Sequence, residues 1–256
     1  GKGSLPTRKA IESLGVPYDK MIHFNVDDVI ESLEQFKGAS RSHLEQTFKY
    51  LTYNSLSDTN KTRKLKANLN MIGKNNIGDF SNIYFEARRL PINDMGTEVG
   101  QLIDTMTGKA MKSNLNVSIE TTGSFSFPNW LFSDPKITPY IDNYEVVFVF
   151  PTVDCETAWS RYKRRPINSY MAGNPFRFGS TKVDFAEQYI DSYNAFIEKM
   201  PTLTNKENVS YIIFPSDSNN LQFARIKRTS SEVLNSNLRP FVTRAEEFME
   251  KLADSK

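Results

Sequence analysis

The run YEVVFVF at residues 144–150 constrains the fold of this chain more than any other feature. Its five consecutive apolar residues have the length of a strand that is buried on both faces. Further strand signals lie at residues 21–24, 116–124 and 209–214, and helical patterns separate them. This alternation predicts an α/β fold with a mostly parallel sheet flanked by helices.

The segments between the strands carry helix signals. Ser4 can cap a helix over residues 4–15, and Pro6 falls in its first turn, where the missing N–H costs least. Further helices are predicted for three segments, at residues 25–36, 154–165 and 182–199.

The sequence predicts a single domain over residues 1–256. Three longer segments within it are expected to have distinct roles. The mostly helical block at 39–112 is expected to be an insertion on the substrate side of the sheet. The loop at 165–180, rich in Gly, Pro and Arg, is expected to form a lid over the site. Residues 218–256 are expected to form a C-terminal helical segment.

Composition limits the classes of function. The 256 residues include 32 basic and 30 acidic side chains, and a net charge of +2 does not favour a dedicated nucleic-acid binder. Cys155 is the only cysteine, so an intramolecular disulfide is impossible and a cytoplasmic, reducing compartment is expected. No apolar run is long enough to span a bilayer. His23, inside a predicted strand, is expected to be a hydrogen-bonded core histidine.

Charged residues cluster where the predicted strands end, which is where open α/β sheets bind ligands. Asn25–Asp28 and Glu120–Thr122 follow two strands, and an arginine-rich segment follows the third. Lys2 stands in GKGS, at a loop–helix junction. Phosphoryl transfer needs such a set: a lysine and backbone N–H groups on the phosphates, a carboxylate for the hydroxyl proton, and arginines for the spreading charge.

Each of these features also has a purely structural interpretation. GKGS is either the end of a phosphate-binding loop or a cloning remnant. Asp27 and Asp28 fit helix N-terminal acids, Glu120 fits a solvated loop acid, and the arginines fit a solvated helix face. The order of the features and their common position at strand ends favour a functional site.

The ordered motifs resemble the P-loop kinases of the zeta toxin family. The resemblance spans about residues 1–214 in motif order. It is carried by Lys2-Gly3-Ser4, Asn25-Val26-Asp27, Glu120-Thr121-Thr122, Arg164 and Arg177.

The resemblance implies a role for each motif. Lys2, with Gly1, Gly3 and Ser4, would hold the phosphates of ATP, and Asp27 would take the proton of the substrate hydroxyl. Glu120 and Thr122 would line the substrate side, with Asp28 as the alternative to Asp27. The lid arginines would contact the phosphates; they are Arg164 and Arg177, with Arg161 and Arg165 as alternatives. Trp130, just past Glu120, is expected either to pack in the core or to form a stacking surface for a sugar or base.

The sequence departs from the usual phosphate-binding loop at two points. Gly3 stands where Ser or Thr normally follows the lysine, as in the GKG version in adenylate kinases. Mg²⁺ would then be held by Ser4, through water, or with help from Asp27 or Glu120. The strand and loop start that should precede GKGS are expected upstream of Gly1.

The resemblance predicts an ATP- and Mg²⁺-dependent kinase that phosphorylates a hydroxyl of a small molecule. In the better-known bacterial members that molecule is a UDP-activated amino sugar, and a neutralising protein covers the ATP site. Two alternatives remain open. One is a nucleoside, nucleotide or polynucleotide 5′-hydroxyl kinase, and the other is a non-catalytic nucleotide-binding module of a larger protein.

Overall fold

A computed structural model describes residues 5–25, 28–29, 99–121, 127–162, 182–218 and 221–253. The chain divides into two compact units. The first comprises Gly1–Asn25, Leu102–Cys155 and Glu187–Lys256, and the second comprises Val26–Gln101 and Glu156–Ala186. All the strands named below lie in the first unit.

Helices and strands alternate along the described residues. The helices are α1 (Leu5–Glu12), α2 (Val99–Lys112), α3 (Phe127–Ser133), α4 (Thr138–Ile141), α5 (155–162), α6 (Lys182–Leu203) and α7 (Ser231–Ala253). The strands are β1 (Ile22–Phe24), β2 (Val117–Ile119), β3 (Val146–Thr152) and β4 (Val209–Pro215), and a 3-10 turn at Tyr18–Lys20 precedes β1. No helix in the described ranges is both long and apolar enough to cross a membrane.

The strands form two parallel pairs. β1 pairs with β2 in the register Ile22↔Val117 to Phe24↔Ile119, and β3 pairs with β4 from Val146↔Val209 to Thr152↔Pro215. Within the described residues, β2 and β3 are not paired with each other. The predicted α/β class and its parallel pairing are confirmed, with short sheets of two strands each.

Helices cover both faces of the β3–β4 pair, because successive side chains of a strand point to opposite faces. On one face, Ile212 and Phe214 form a buried cluster with Ala10 of α1. On the other face, the ring of Phe196 in α6 lies 4.3 Å from the ring of Phe150 and 5.6 Å from that of Tyr211. The apolar run VVFVF is therefore a strand packed on both sides, as its composition predicts.

The amino ends of β2 and β3 lie over one apolar cluster. Val117 and Val146 both pack against Met111, Ile137 and Ile141. The hydroxyl of Tyr144 donates to the carbonyl of Met111 at 2.9 Å, at the end of α2. This shared base fixes where both strands start.

Two residues of α2 and the turn after it, Gly108 and Asn114, fix the local backbone beside this cluster. Asn114 adopts a left-handed φ of 55°, which ends α2 and turns the chain toward β2. Gly108 faces the turn before α4 so closely that an added Cβ would collide with the carbonyl of Lys136. A side chain at position 108 would therefore push helix and turn apart.

The last helix, α7, is held by one apolar stripe. Leu234, Leu238, Val242 and Ala245 are completely buried. Their spacing of four, four and three residues follows the helical period, so they line one side of the helix. Of the segment expected to be helical over residues 218–256, residues 231–253 form α7, whereas residues 221–230 before it are not helical.

Several sequence expectations differ from the structure in detail. β2 covers Val117–Ile119 of the segment 116–124, which was predicted as a strand running into a turn, and the helices α3 and α4 were not predicted. His23 is not a core residue: it is exposed, stacks on Tyr18 and bonds to the Tyr18 carbonyl at 2.7 Å. Of the helix predicted at 25–36, three residues are described: Asn25 is not helical, whereas Asp28 and Val29 are.

Candidate functional site

The carboxyl ends of β1 and β2 bring together two polar side chains that are 95 residues apart in sequence. The last bond of the Phe24↔Ile119 pair runs from the Glu120 N–H to the Phe24 carbonyl at 2.9 Å, so the ladder ends directly beside Asn25 and Glu120. The side-chain amide of Asn25 then donates to Oε2 of Glu120 at 3.0 Å. We call these two residues the Asn25–Glu120 pair.

The pair is accessible and carries one negative charge. Glu120 is exposed and Asn25 is half-buried. Asparagine is a neutral donor, so it holds the carboxylate without cancelling its charge. A carboxylate has two oxygens with about four lone-pair sites, so Glu120 can also accept a hydrogen bond from a hydroxyl or amide, or bind a hard cation.

The carboxyl end of β3 is built differently. The Tyr189 hydroxyl donates to the carbonyl of Val153 at 2.6 Å, and the Val153 N–H donates to the Tyr193 hydroxyl at 3.2 Å. Both tyrosines come from α6 and are buried, with 8% and 4% of their surface exposed. We call Val153, Tyr189 and Tyr193 the tyrosine clamp.

The clamp is unsuited to proton transfer near neutral pH. Burial, with a smaller contribution from the neighbouring Tyr193 hydroxyl, raises the pKa of Tyr189 far above its usual value of 10. Burial also raises the pKa of Tyr193. Both hydroxyls therefore stay protonated, which suits an anchor for the backbone after β3.

An ion pair completes this end of β3. Nε of Arg244 in α7 donates to Oδ1 of Asp154 at 2.7 Å, and the guanidinium lies 4.7 Å from the Phe241 ring centre. Cys155 begins α5 and is 2% exposed. A thiol this buried fits a packing role better than a reactive one.

Few of the predicted site residues lie within the described ranges. Glu120 lies at a strand end, as predicted. Asp28 and Arg161 are exposed and belong to the second unit. Trp130 is half-buried and packs against the cluster of Met111, Ile137 and Ile141, so the core-packing alternative describes its contacts. The remaining predicted residues lie outside the described ranges; they are Gly1, Lys2, Gly3, Ser4, Asp27, Thr122, Arg164, Arg165 and Arg177.

The described residues show no ready-made metal centre. Among the described parts of the chain, no group of three or more His, Cys, Asp or Glu side chains could hold a metal ion. Mg²⁺ does not require such a group, since it is usually held by one or two carboxylates together with substrate phosphates and waters. At the carboxyl ends of β1 and β2, the described residues offer such an ion one carboxylate, that of Glu120.

Sequence reasoning missed the contacts that define both strand ends. Asn25 was part of a motif, but nothing in the sequence indicated that its amide would reach Glu120. Tyr189 and Tyr193 stand four residues apart on α6, a spacing that places them on one side of the helix. That spacing could have identified the two as neighbours, but not Val153 as their partner.

Comparisons of this chain with protein-family models, curated proteins and solved structures gave no match. The geometry of the strand ends is therefore the basis for the function proposed below.

Proposed function

We propose that this chain is an ATP-dependent phosphotransferase that transfers a phosphoryl group to a hydroxyl of a small molecule, on a P-loop fold similar to that of the zeta toxins. The observation that carries the proposal is the Asn25–Glu120 pair, an accessible carboxylate at the carboxyl ends of two parallel strands. Ligands bind at this edge in open α/β sheets. The helices on both faces of β3–β4 agree with such a fold.

In the proposed reaction, the acceptor hydroxyl attacks the γ-phosphorus of ATP. A new P–O bond forms to the acceptor, the bond to the β–γ bridging oxygen breaks, and ADP leaves. Asp27 would accept the hydroxyl proton, and Glu120 would hold the acceptor by its hydroxyl groups. Lys2, Arg164 and Arg177 would balance the negative charge on the phosphates.

Mg²⁺ bound to ATP would supply charge neutralisation on the transferred group. Ser4, Asp27 and Glu120 are the residues whose oxygens suit it, because Mg²⁺ prefers oxygen ligands. The chain's own contribution is to fix the acceptor and to receive the proton. In the proposed enzyme, the carboxylate of Glu120 has the first task and that of Asp27 the second.

The test is transfer of the γ-phosphate from ATP to a panel of acceptors, comprising a UDP-sugar, a nucleoside and a 5′-hydroxyl oligonucleotide. It should use this chain beside the variants Lys2→Ala, Asp27→Asn and Glu120→Gln. We expect one acceptor class to be phosphorylated. Glu120→Gln should lower kcat/KM for that acceptor about 10–100-fold, the value of a hydrogen bond to a charged group.

Glu207→Gln is the matched control, because Glu207 is an exposed carboxylate before the amino end of β4. Its transfer rate should equal that of the unmodified chain. ATP binding without transfer to any acceptor would overturn the kinase proposal and favour a non-catalytic nucleotide-binding module. Transfer only to the oligonucleotide would assign the enzyme to polynucleotide kinases.

A further inference from the structure

We infer that Asn25 is a positioning residue, which holds the Glu120 carboxylate in one orientation for a hydroxyl of the phosphoryl acceptor. This inference rests on the proposed function and adds to it a residue with no assigned role. It starts from the 3.0 Å bond between the Asn25 amide and Oε2 of Glu120.

The backbone prepares this contact. The bond from the Glu120 N–H to the Phe24 carbonyl extends the β1–β2 ladder to the base of both side chains. Asn25 and Glu120 are the first residues after β1 and β2, so the end of the ladder brings the two chain segments side by side at these positions.

The chemistry of the contact explains why an amide suits position 25. An exposed glutamate samples several rotamers, and holding it in one costs side-chain entropy that a ligand would otherwise have to supply. One hydrogen bond from Asn25 reduces this cost before the ligand arrives. Oε1 of Glu120 and the remaining lone pairs can then accept from a hydroxyl.

The charge at position 25 is also important. A lysine or arginine there would neutralise Glu120 and weaken its bond to a neutral hydroxyl. An aspartate would repel Glu120 and turn it away. Asparagine alone among these residues orients the carboxylate and preserves its charge, so Glu120 stays able to accept a hydrogen bond from an acceptor hydroxyl.

The experiment measures acceptor and ATP kinetics for the unmodified chain, Asn25→Ala, Asn25→Asp, Glu120→Gln and the double variant Asn25→Asp/Glu120→Gln. Asn25→Ala should lower kcat/KM for the acceptor about tenfold, the value of one hydrogen bond to a charged group. The KM for ATP should change less than about twofold, since the uniform binding of ATP is untouched. Asn25→Asp should cost more, because it replaces attraction by repulsion.

The double variant separates positioning from a general structural role. If Asn25 acts through Glu120, Asn25→Asp should have little further effect once Glu120 is glutamine. An equal loss in both backgrounds, or a parallel rise in the KM for ATP, would overturn the inference. Asn116→Ala is the control, because Asn116 is an exposed asparagine at the opposite, amino end of β2.

A second measurement does not depend on turnover. The NMR signals of the Asn25 side-chain amide should shift in Glu120→Gln and stay unchanged in Glu207→Gln. If they do not shift in Glu120→Gln, the bond is absent in solution and the inference is wrong. If the unmodified chain phosphorylates no acceptor, the proposed function is wrong. The positioning role of Asn25 is then wrong too, even if the NMR signals show the hydrogen bond between Asn25 and Glu120.

Discussion

The carboxyl ends of β1–β2 and of β3 lie in the same unit, yet they are built in opposite ways. At the first, one hydrogen bond links a half-buried asparagine to an exposed glutamate. At the second, two buried tyrosines satisfy both backbone polar groups of Val153. The next residue there is tied to α7 by an ion pair.

This difference separates two kinds of strand end. The tyrosine clamp uses buried polar groups that find all their partners within the protein, so it contributes to stability and has little left to offer a ligand. The Asn25–Glu120 pair keeps a charged group in contact with solvent, where it adds little to stability and can bind a ligand. Variants at the two ends should therefore affect different properties.

The largest effect is expected from Tyr193→Ala. The Tyr193 ring packs against Phe150, Tyr189 and Phe241, with ring centres 5.0, 4.5 and 5.6 Å away. Removing this ring from a site that is 4% exposed should lower the free energy of unfolding by about 3–5 kcal/mol. Chemical denaturation with urea measures this change.

Tyr193→Phe is the matched control, because it keeps the ring and removes only the hydroxyl. The Val153 N–H would lose its acceptor, at a cost of about 1–3 kcal/mol. If Tyr193→Ala were no worse than Tyr193→Phe, the clamp would depend on its hydrogen bonds and not on its packing.

The second effect is a loss of stability in alkaline solution. An unfolded tyrosine ionises near pH 10, whereas burial keeps Tyr189 protonated in the folded state well above that pH. Above pH 10 the unfolded state thus binds fewer protons, and stability falls as pH rises. The slope is up to about 1.4 kcal/mol per pH unit for each such tyrosine.

This slope should be absent below pH 10 and should continue until the pH reaches the raised pKa of the folded state. Urea denaturation between pH 8 and pH 11 should detect it, and Tyr189→Phe should show a smaller slope than the unmodified chain. Equal slopes for the two proteins would mean that Tyr189 ionises equally in the folded and unfolded states. In that case the hydroxyl would not be buried in solution.

The third effect concerns the ion pair between Arg244 and Asp154. Both side chains are about half-exposed, 48% and 53%, so a double-mutant cycle with Arg244→Met and Asp154→Asn should give a coupling of about 0.2–1 kcal/mol. The coupling should fall as salt is added, because exposed charges are screened. A coupling that salt leaves unchanged would mean that the pair is shielded from solvent.

Much of the fold could be predicted from short sequence patterns. The apolar runs gave β1, β3 and β4 to within about two residues, because a buried strand needs consecutive apolar side chains. β2 covers Val117–Ile119, inside the segment 116–124 predicted as a strand running into a turn, and Glu120 follows it as expected. The short helices α3 and α4 were missed, since four to seven residues are too few to show a helical period.

The candidate site was less predictable, for a physical reason. Strand ends can be located from local patterns, and these placed Asn25 and Glu120 near one edge of a sheet. Which side chains then touch depends on register, and Phe24↔Ile119 is a contact between residues 95 positions apart. Trp130 shows the same limit, because it lies on α3, a helix that the sequence did not reveal, and packs from there against the cluster of Met111, Ile137 and Ile141.

The smallest effect on stability is expected at the Asn25–Glu120 pair itself. Asn25→Ala removes one hydrogen bond to an exposed carboxylate, so the free energy of unfolding should fall by less than about 0.5 kcal/mol. Urea denaturation of Asn25→Ala and of the control Asn116→Ala should give nearly equal midpoints. A loss above about 1.5 kcal/mol, the typical value of an intramolecular hydrogen bond, would make the pair an anchor like the tyrosine clamp. Asn25→Ala is expected to cause a small loss in stability together with a large loss in acceptor turnover. Such a result would distinguish the two strand ends by function, because a residue that acts on a ligand can affect phosphoryl transfer strongly while affecting folding little.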